Sequence, residues 1–372
     1  MDKGLDIERL ALIAVAHEAS QGRHEGLLRL ISLINRNCLE GKSLEAQTRE
    51  LQREAGNFGL PLDWTVRERC KRWLMTPGNC LLARGDQAYP PLLQEIPKPP
   101  PVLFASGRSE LLRATQIAVV GSRRATSAGR ENAYEFARGL AEAGLVITSG
   151  LASGIDAAAH RGALDATGAT VAVFGCGIDR IYPSINRDLA LEIATRGLLL
   201  SEFPLGYAPT KYSFPQRNRV ISGLAVGTLV VEAAQTSGSL ITALQALEQG
   251  REVFAVPGPI RSALSKGCHA LIRQGAVLTE TVEDVLQEFP SFERNKRSVD
   301  SGPESQEPPS LAPREAHILE ACDFEPIAFD RLVNKTGLTA PEVSSILVSL
   351  EMKGLVRSDH GGAFVRTGPA HS

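Results

Sequence analysis

Ile117-Ala118-Val119-Val120-Gly121-Ser122-Arg123-Arg124 joins an apolar run to a tight turn and two cations. The first four residues lack the polar alternation of a strand with one wet face. Such runs suit a parallel sheet covered on both sides. Six more follow at Leu145–Thr148, Thr170–Phe174, Leu198–Leu200, Thr228–Val231, Val253–Val256 and Ala276–Leu278. Helical patterns lie between them at Ser127–Ala143, Ile155–Thr167, Ser184–Arg196, Gln216–Leu224 and Ser239–Gln249. Strands alternating with helices predict a doubly wound α/β fold with a parallel sheet.

Working outward, residues Leu5 to Met75 read as helical, with Leu10, Ile13, Ala14 and His17 on one face. Pro77-Gly78 ends that pattern. The proline-rich stretch from Tyr89 to Pro101 reads as an ordered connector anchored by Leu92, Leu93, Val102, Leu103 and Phe104. Residues 290–313 are rich in Ser, Pro, Glu and Arg and read as a flexible linker. Beyond it, Arg314–Asp323, Phe329–Lys335 and Ala340–Lys353 read as helices, and Leu355–Arg357 with Ala363–Arg366 as a hairpin. Three helices and a hairpin predict a winged-helix-like module. The expected division is therefore an N-terminal helical domain (1–80), an α/β domain (81–289), the linker (290–313) and the small C-terminal domain (314–368).

The whole chain carries a formal charge of -2. From Pro101 to Pro290 there are 17 Lys plus Arg against 17 Asp plus Glu. Any polyanion must therefore be held by a local patch. The 6 cysteines are scattered without a C-x-x-C pair, which argues against a zinc site or disulfide framework and fits a reducing cytosol. No apolar run is long enough to span a bilayer, and no signal-peptide pattern opens the chain. The expectation is a cytoplasmic protein without membrane insertion.

In open parallel sheets, ligands bind outside the carboxyl ends of the strands. The loops leaving those ends here are Gly121-Ser122-Arg123-Arg124, Ser149–Gly154, Gly175-Cys176-Gly177 and Thr236-Ser237-Gly238-Ser239. All are rich in Gly and Ser, so that backbone amides and helix N-termini can face an anion. A tight βα turn explains each loop taken singly, and none completes a dinucleotide-binding or P-loop fingerprint. Their placement at successive strand ends favours an anion site.

Lys211-Tyr212-Ser213-Phe214-Pro215-Gln216-Arg217-Asn218-Arg219 sets the size of that anion. With Arg123 and Arg124 it supplies five cations, enough for several phosphates in a row. Tyr212 and Phe214 offer stacking faces for unpaired bases. The plainer alternatives are a solvated helix face for Arg217 and Arg219, and core packing for Phe214. Asp156 and His160 are spaced for one helix face. Without further ligands nearby, helix capping by Asp156 explains them better than a metal. Glu232 suits either a general base or a buried, bound carboxylate, and the second is preferred. In the C-terminal module, the exposed positions of the second helix of the turn carry Glu342, Ser344, Ser345, Ser349 and Glu351, with no basic residue before Lys353. A duplex reader needs cations there, so the module reads as a protein-contact or self-association piece.

Taken together, Gly121-Ser122-Arg123, Gly154-Ile155-Asp156, Ala159-His160, Tyr182-Pro183, Ser201-Glu202, Phe214-Pro215 with Arg217-Asn218-Arg219, Ser222-Gly223-Leu224, Ser237-Gly238-Ser239-Leu240 and Phe254-Ala255-Val256-Pro257-Gly258 resemble the DNA-processing protein A family. The resemblance runs from about Tyr89 to Leu286. It implies an extended Rossmann-like domain that binds single-stranded DNA, protects it and loads a RecA-type recombinase during natural transformation. It also implies a homodimer without catalytic activity or cofactor. By position it implies Arg123 and Lys211 as the residues that grip phosphate, with Phe214, Arg217 and Asn218 nearby; together with the loops and the cationic segment, the candidate DNA-binding site comprises Gly121, Ser122, Arg123, Arg124, Gly150, Gly154, Lys211, Phe214, Arg217, Asn218, Arg219, Ser237, Gly238 and Ser239. The competing reading is an enzyme resembling nucleotide 5'-monophosphate phosphoribohydrolases that uses Glu232. Against it, the stretch from Ser237 to Ala243 lacks the glutamate those enzymes carry.

Overall fold

Ile117 and Val119 turn to one side of a sheet, Ala118 and Val120 to the other, and all four are buried. That double coverage is what the uniformly apolar runs require. In the computed structural model, residues 12–15, 17, 24–39, 42–60, 62–289, 312–322, 327–353, 355–359 and 363–366 are described. The chain divides into two units, residues 1–300 and 301–372.

In the first unit, helical residues 12–15 and 17 precede helices α1 (His24–Leu39), α2 (Leu44–Asn57) and α3 (Thr65–Leu74). Next come β1 (Asn79–Ala83), the short α4 (Pro91–Gln94), β2 (Val102–Gly107) and β3 (Gln116–Val120). The alternating part follows: α5 (Ser127–Glu142), β4 (Val146–Ser149), α6 (Ile155–Ala166), β5 (Thr170–Phe174), α7 (Arg187–Arg196), β6 (Leu198–Ser201), α8 (Ser213–Leu224) and β7 (Gly227–Val230). It closes with α9 (Gly238–Glu248), β8 (Glu252–Ala255), α10 (Lys266–Arg273), β9 (Val277–Leu278) and α11 (Val282–Gln287).

These strands form one nine-stranded sheet in the order β1-β2-β6-β5-β4-β3-β7-β8-β9. The strands from β3 to β9 pair in parallel. The proline-rich connector does more than connect. Its flanks are β1 and β2, which pair antiparallel with each other and, through β2, with β6.

Helices α5, α6 and α11 bury Ile117, Val119, Ile147, Leu229 and Phe254 on one face. On the same side, towards β1, the helices α1 to α3 and α7 bury Leu81, Val102, Phe104, Phe174 and Leu199. Helices α8, α9 and α10 cover the opposite face over Val120, Val173, Leu200, Val230 and Ala255. Among the described residues, no helix is long and apolar enough to cross a membrane.

The second unit holds α12 (Pro313–Ala321), β10 (Ile327–Ala328), α13 (Phe329–Thr336), α14 (Ala340–Met352), β11 (Val356–Asp359) and β12 (Ala363–Arg366). Its antiparallel sheet runs β10-β12-β11, and Ile318, Leu332, Val343, Leu347 and Leu350 fill its core. This is the winged-helix arrangement expected from the sequence. Residues 290–311 of the expected linker, the start of the expected N-terminal helix and the hairpin turn His360–Gly362 lie outside the described residues.

Candidate functional site

Chain direction across the sheet reverses at β3. From there the chain steps through β4, β5 and β6 one way, then returns to add β7, β8 and β9 on the other. The loops leaving β3 and β7 therefore diverge and leave a crevice at the carboxyl ends of the strands. A cavity of about 820 Å³ occupies that place.

Gly121, Ser122, Arg123 and Arg124 line it from the loop after β3. Lys211, Phe214, Arg217 and Asn218 line it from the start of α8, and Ser237, Gly238 and Ser239 from the start of α9. The sequence-predicted residues thus converge on one groove, except Gly150, Gly154 and Arg219. Arg123 and Arg124 are exposed, as is Lys211. The Arg123 guanidinium carbon sits 5.4 Å from the centre of the Phe214 ring, and Lys211 Nζ 5.0 Å from that of Tyr212. Two segments some ninety residues apart in the sequence therefore meet through a cation–aromatic contact.

The three residues outside the groove support it in other ways. Arg219 is ion-paired to Glu202 and largely buried, so it neither faces solvent nor reaches the groove. Gly154 begins α6 with φ 83, and a Cβ there would lie 2.3 Å from the Ser122 carbonyl oxygen. Only glycine lets α6 start so close behind the Ser122–Arg123 backbone. Gly150 presents its carbonyl to Arg217.

Arg217 lines the groove but is only 4% exposed. Its Nη1 donates to the carbonyl oxygens of Gly150, at 2.6 Å, and Val173, at 2.5 Å. Burial pushes its guanidinium down to about 10, against the pull of Asp156, so it stays charged at neutral pH. Asp156, also buried, accepts from the amides of Gly150 (3.1 Å) and Ala152 (3.3 Å). Burial holds its carboxyl above the ordinary range, opposed by Arg217 and those amides. Asp156 thus ties the loop before α6 to the helix start, in keeping with the capping reading. The solvated-face reading fails for both Arg217 and Arg219. The groove's free positive charge comes from Arg123, Arg124 and Lys211.

His160, fully buried, faces Thr170 Oγ1 at 2.7 Å from Nδ1. The single Thr170 hydroxyl hydrogen goes to the Ile147 carbonyl oxygen, so the imidazole donates from Nδ1. Burial pushes this histidine down to about 3, and it is neutral in the fold. No group of metal-ligating side chains occurs among the described residues. Glu232 accepts from the Thr126 amide (2.9 Å) and hydroxyl (2.6 Å), which fixes the start of α5. It is not part of the groove lining.

The N-terminus of α9 closes one wall. Ser237 caps it, accepting from the Ser239 amide at 3.3 Å. Asn218 Nδ2 donates to the Gly238 carbonyl oxygen at 3.4 Å and couples α8 to this wall. Tyr182 lines the groove as well, although the sequence reading used it only within the family resemblance. The signal available was an aromatic followed by proline on the loop leaving β5, another strand end.

A family model described as DNA recombination-mediator protein A matches residues 80–290, and one for the DprA winged helix domain matches residues 302–362. Protein Smf of Escherichia coli (strain K12) is 41% identical over 295 residues, which span 78% of each chain. DNA processing protein DprA of Streptococcus pneumoniae is 48% identical over 204 residues, 55% of this chain and 72% of its own. The X-ray structure of DNA processing protein A from Streptococcus pneumoniae aligns with a TM-score of 0.59 at 34% identity, over 77% of this chain and 98% of that one. A structure of DNA processing protein A from Helicobacter pylori, described for its single-stranded DNA binding mode, aligns with a TM-score of 0.53 at 30% identity, over 57% and 96% of the two chains.

Proposed function

Because the chain belongs to the DNA recombination-mediator protein A family, we propose that its groove binds single-stranded DNA without sequence preference, within an α/β portion spanning residues 81–289. One observation carries this reading. Arg123, Arg124 and Lys211, all exposed, line one crevice together with Phe214 and the N-terminus of α9. Cations and backbone dipoles suit phosphates, and aromatic faces suit unpaired bases. The single-stranded DNA binding described for the Helicobacter pylori relative supports the same choice of ligand. We further propose that the bound strand is protected and handed to a RecA-type recombinase by a cytoplasmic homodimer during natural transformation. We read the protein as non-catalytic. Glu232, the carboxylate of the hydrolase alternative, is engaged by Thr126 and stands outside the groove lining.

The test is binding to single and double strands of equal length across a salt series. Three exposed cations predict a slope of log K against log salt of about −2 for single strands. Preference for the duplex, or binding insensitive to salt, would overturn the reading.

A further inference from the structure

We infer that Tyr182 forms a second base-stacking platform, which extends the groove past Phe214 onto the loop that follows β5. The inference rests on the reading of the groove as a single-strand site and names one more binding position within it.

The Phe214 ring, half-buried in the groove lining, has neighbours on several sides. It lies against Gly175, where a Cβ would come within 2.8 Å of it. The Arg123 guanidinium sits over it, and the Tyr182 ring centre is 5.5 Å away at an interplanar angle of 38°. Tyr182 is the outer member of this row and remains 48% exposed. Beyond it Ile185 is 81% exposed, and Arg180 is exposed on the same loop.

Such exposure commonly marks a mobile tip, yet this loop is anchored at several points. Asn186, buried, donates from Nδ2 to the Leu151 carbonyl oxygen at 2.8 Å. Asp179 accepts from the Gly206 amide at 2.8 Å, and Cys176 Sγ donates to the Arg180 carbonyl oxygen at 3.0 Å. The fold thus holds a large aromatic face in the lining of a cationic groove, on a loop that also exposes an aliphatic side chain and a cation. Apolar surface kept out of the core and fixed in place marks a contact site. An aromatic next to phosphate-binding cations matches a nucleobase and its backbone, because every base offers a π-face.

The experiment is fluorescence anisotropy with a labelled thymidine oligonucleotide and a counterpart of the same length carrying abasic sites. Tyr182→Ala and Tyr182→Leu are expected to weaken thymidine binding roughly 5- to 150-fold, the range of one lost base stack. The salt slope should stay unchanged, because no charge is removed. Tyr182→Phe, which keeps the ring, should bind within about twofold of wild type. The abasic strand should bind wild type less tightly and show a smaller difference between wild type and the alanine variant. The leucine variant keeps apolar bulk against Phe214, so it separates stacking from simple buttressing. The inference is overturned if the leucine variant binds like wild type, if Tyr182→Phe loses as much as Tyr182→Ala, or if abasic sites leave the Tyr182 effect intact. If wild type and Lys211→Ala bind alike, the reading of the groove itself fails, whatever Tyr182 does.

Discussion

Arg217→Met tests whether this arginine serves the fold or the ligand. The guanidinium is buried, donates to two carbonyl oxygens on neighbouring strand ends and is the main charge offsetting the buried Asp156. Methionine keeps most of the volume but removes both hydrogen bonds and the positive charge. Two buried carbonyls then lose a donor, and Asp156 keeps only its amide partners. Removing one member of a buried charge pair costs about 3–5 kcal/mol. The assay is urea denaturation of the full chain, with Arg123→Ala alongside. Arg123 is exposed, so its loss should shift stability by no more than about 0.5 kcal/mol. Adding Asp156→Asn to Arg217→Met removes the stranded charge and should restore at least about 1 kcal/mol. Arg217→Met unfolding within about 1 kcal/mol of wild type would refute the structural role, as would a double variant no more stable than the single one.

Four further outcomes are expected. Lys211→Ala and Arg123→Ala should each flatten the salt dependence of single-strand binding by about 0.7 in the log–log slope, and a parallel line at lower affinity would remove that residue from the phosphate path. His160 is held neutral by burial at about 3, below its ordinary 6.5. The unfolded chain takes up that proton first, so stability is complete above 6.5 and declines on acidification at roughly 1.4 kcal/mol per pH unit towards 3; urea titrations of wild type and His160→Gln should differ by that slope. Glu315 in the second unit is held down at about 2 by Lys353 and Ser349, against an ordinary 4.5. The stability it lends is present above 4.5 and fades as pH falls towards 2, so the protection factors of the α14 amides, taken against intrinsic exchange at each pH, should fall there in wild type and less in Glu315→Gln. At Gly129 a Cβ would lie 2.3 Å from the Glu232 carboxyl carbon, so Gly129→Ala should cost about 1–3 kcal/mol, much of it recovered in a Glu232→Ala background by a double-mutant cycle.

The parallel strands were legible because burial on both faces demands continuous apolar residues, and β5 runs over Thr170–Phe174 as read. Strands β1 and β2 were not. Asn79–Ala83 and Val102–Gly107 are short and set among prolines and glycines, and β2 gains its place by pairing with β6, far along the chain. No local pattern reports such a partner. At the site, loop position pointed to where Arg123, Lys211 and Ser237 would meet, since an open sheet leaves a crevice at its strand ends where the strand order reverses. The fates of Arg217 and Arg219 were hidden. Both are arginines on the first turns of α8, and only packing shows that one reaches Gly150 and Val173 while the other turns to Glu202. Tyr182 was overlooked because an aromatic on a loop carries no period.

The stacked contact of Arg123 on Phe214 has a kinetic meaning. A long, flexible cation waiting in solvent must surrender its rotamers when a polymer arrives, at roughly 0.5–1.5 kcal/mol per side chain. Arg123 rests over a ring set against Gly175, and that contact favours one arrangement of the cation before any strand arrives. Capture then needs little rearrangement of the receiving surface. If the proposed strand binding holds, electrostatic attraction between strand and crevice governs encounter, and association should be quickest at low ionic strength.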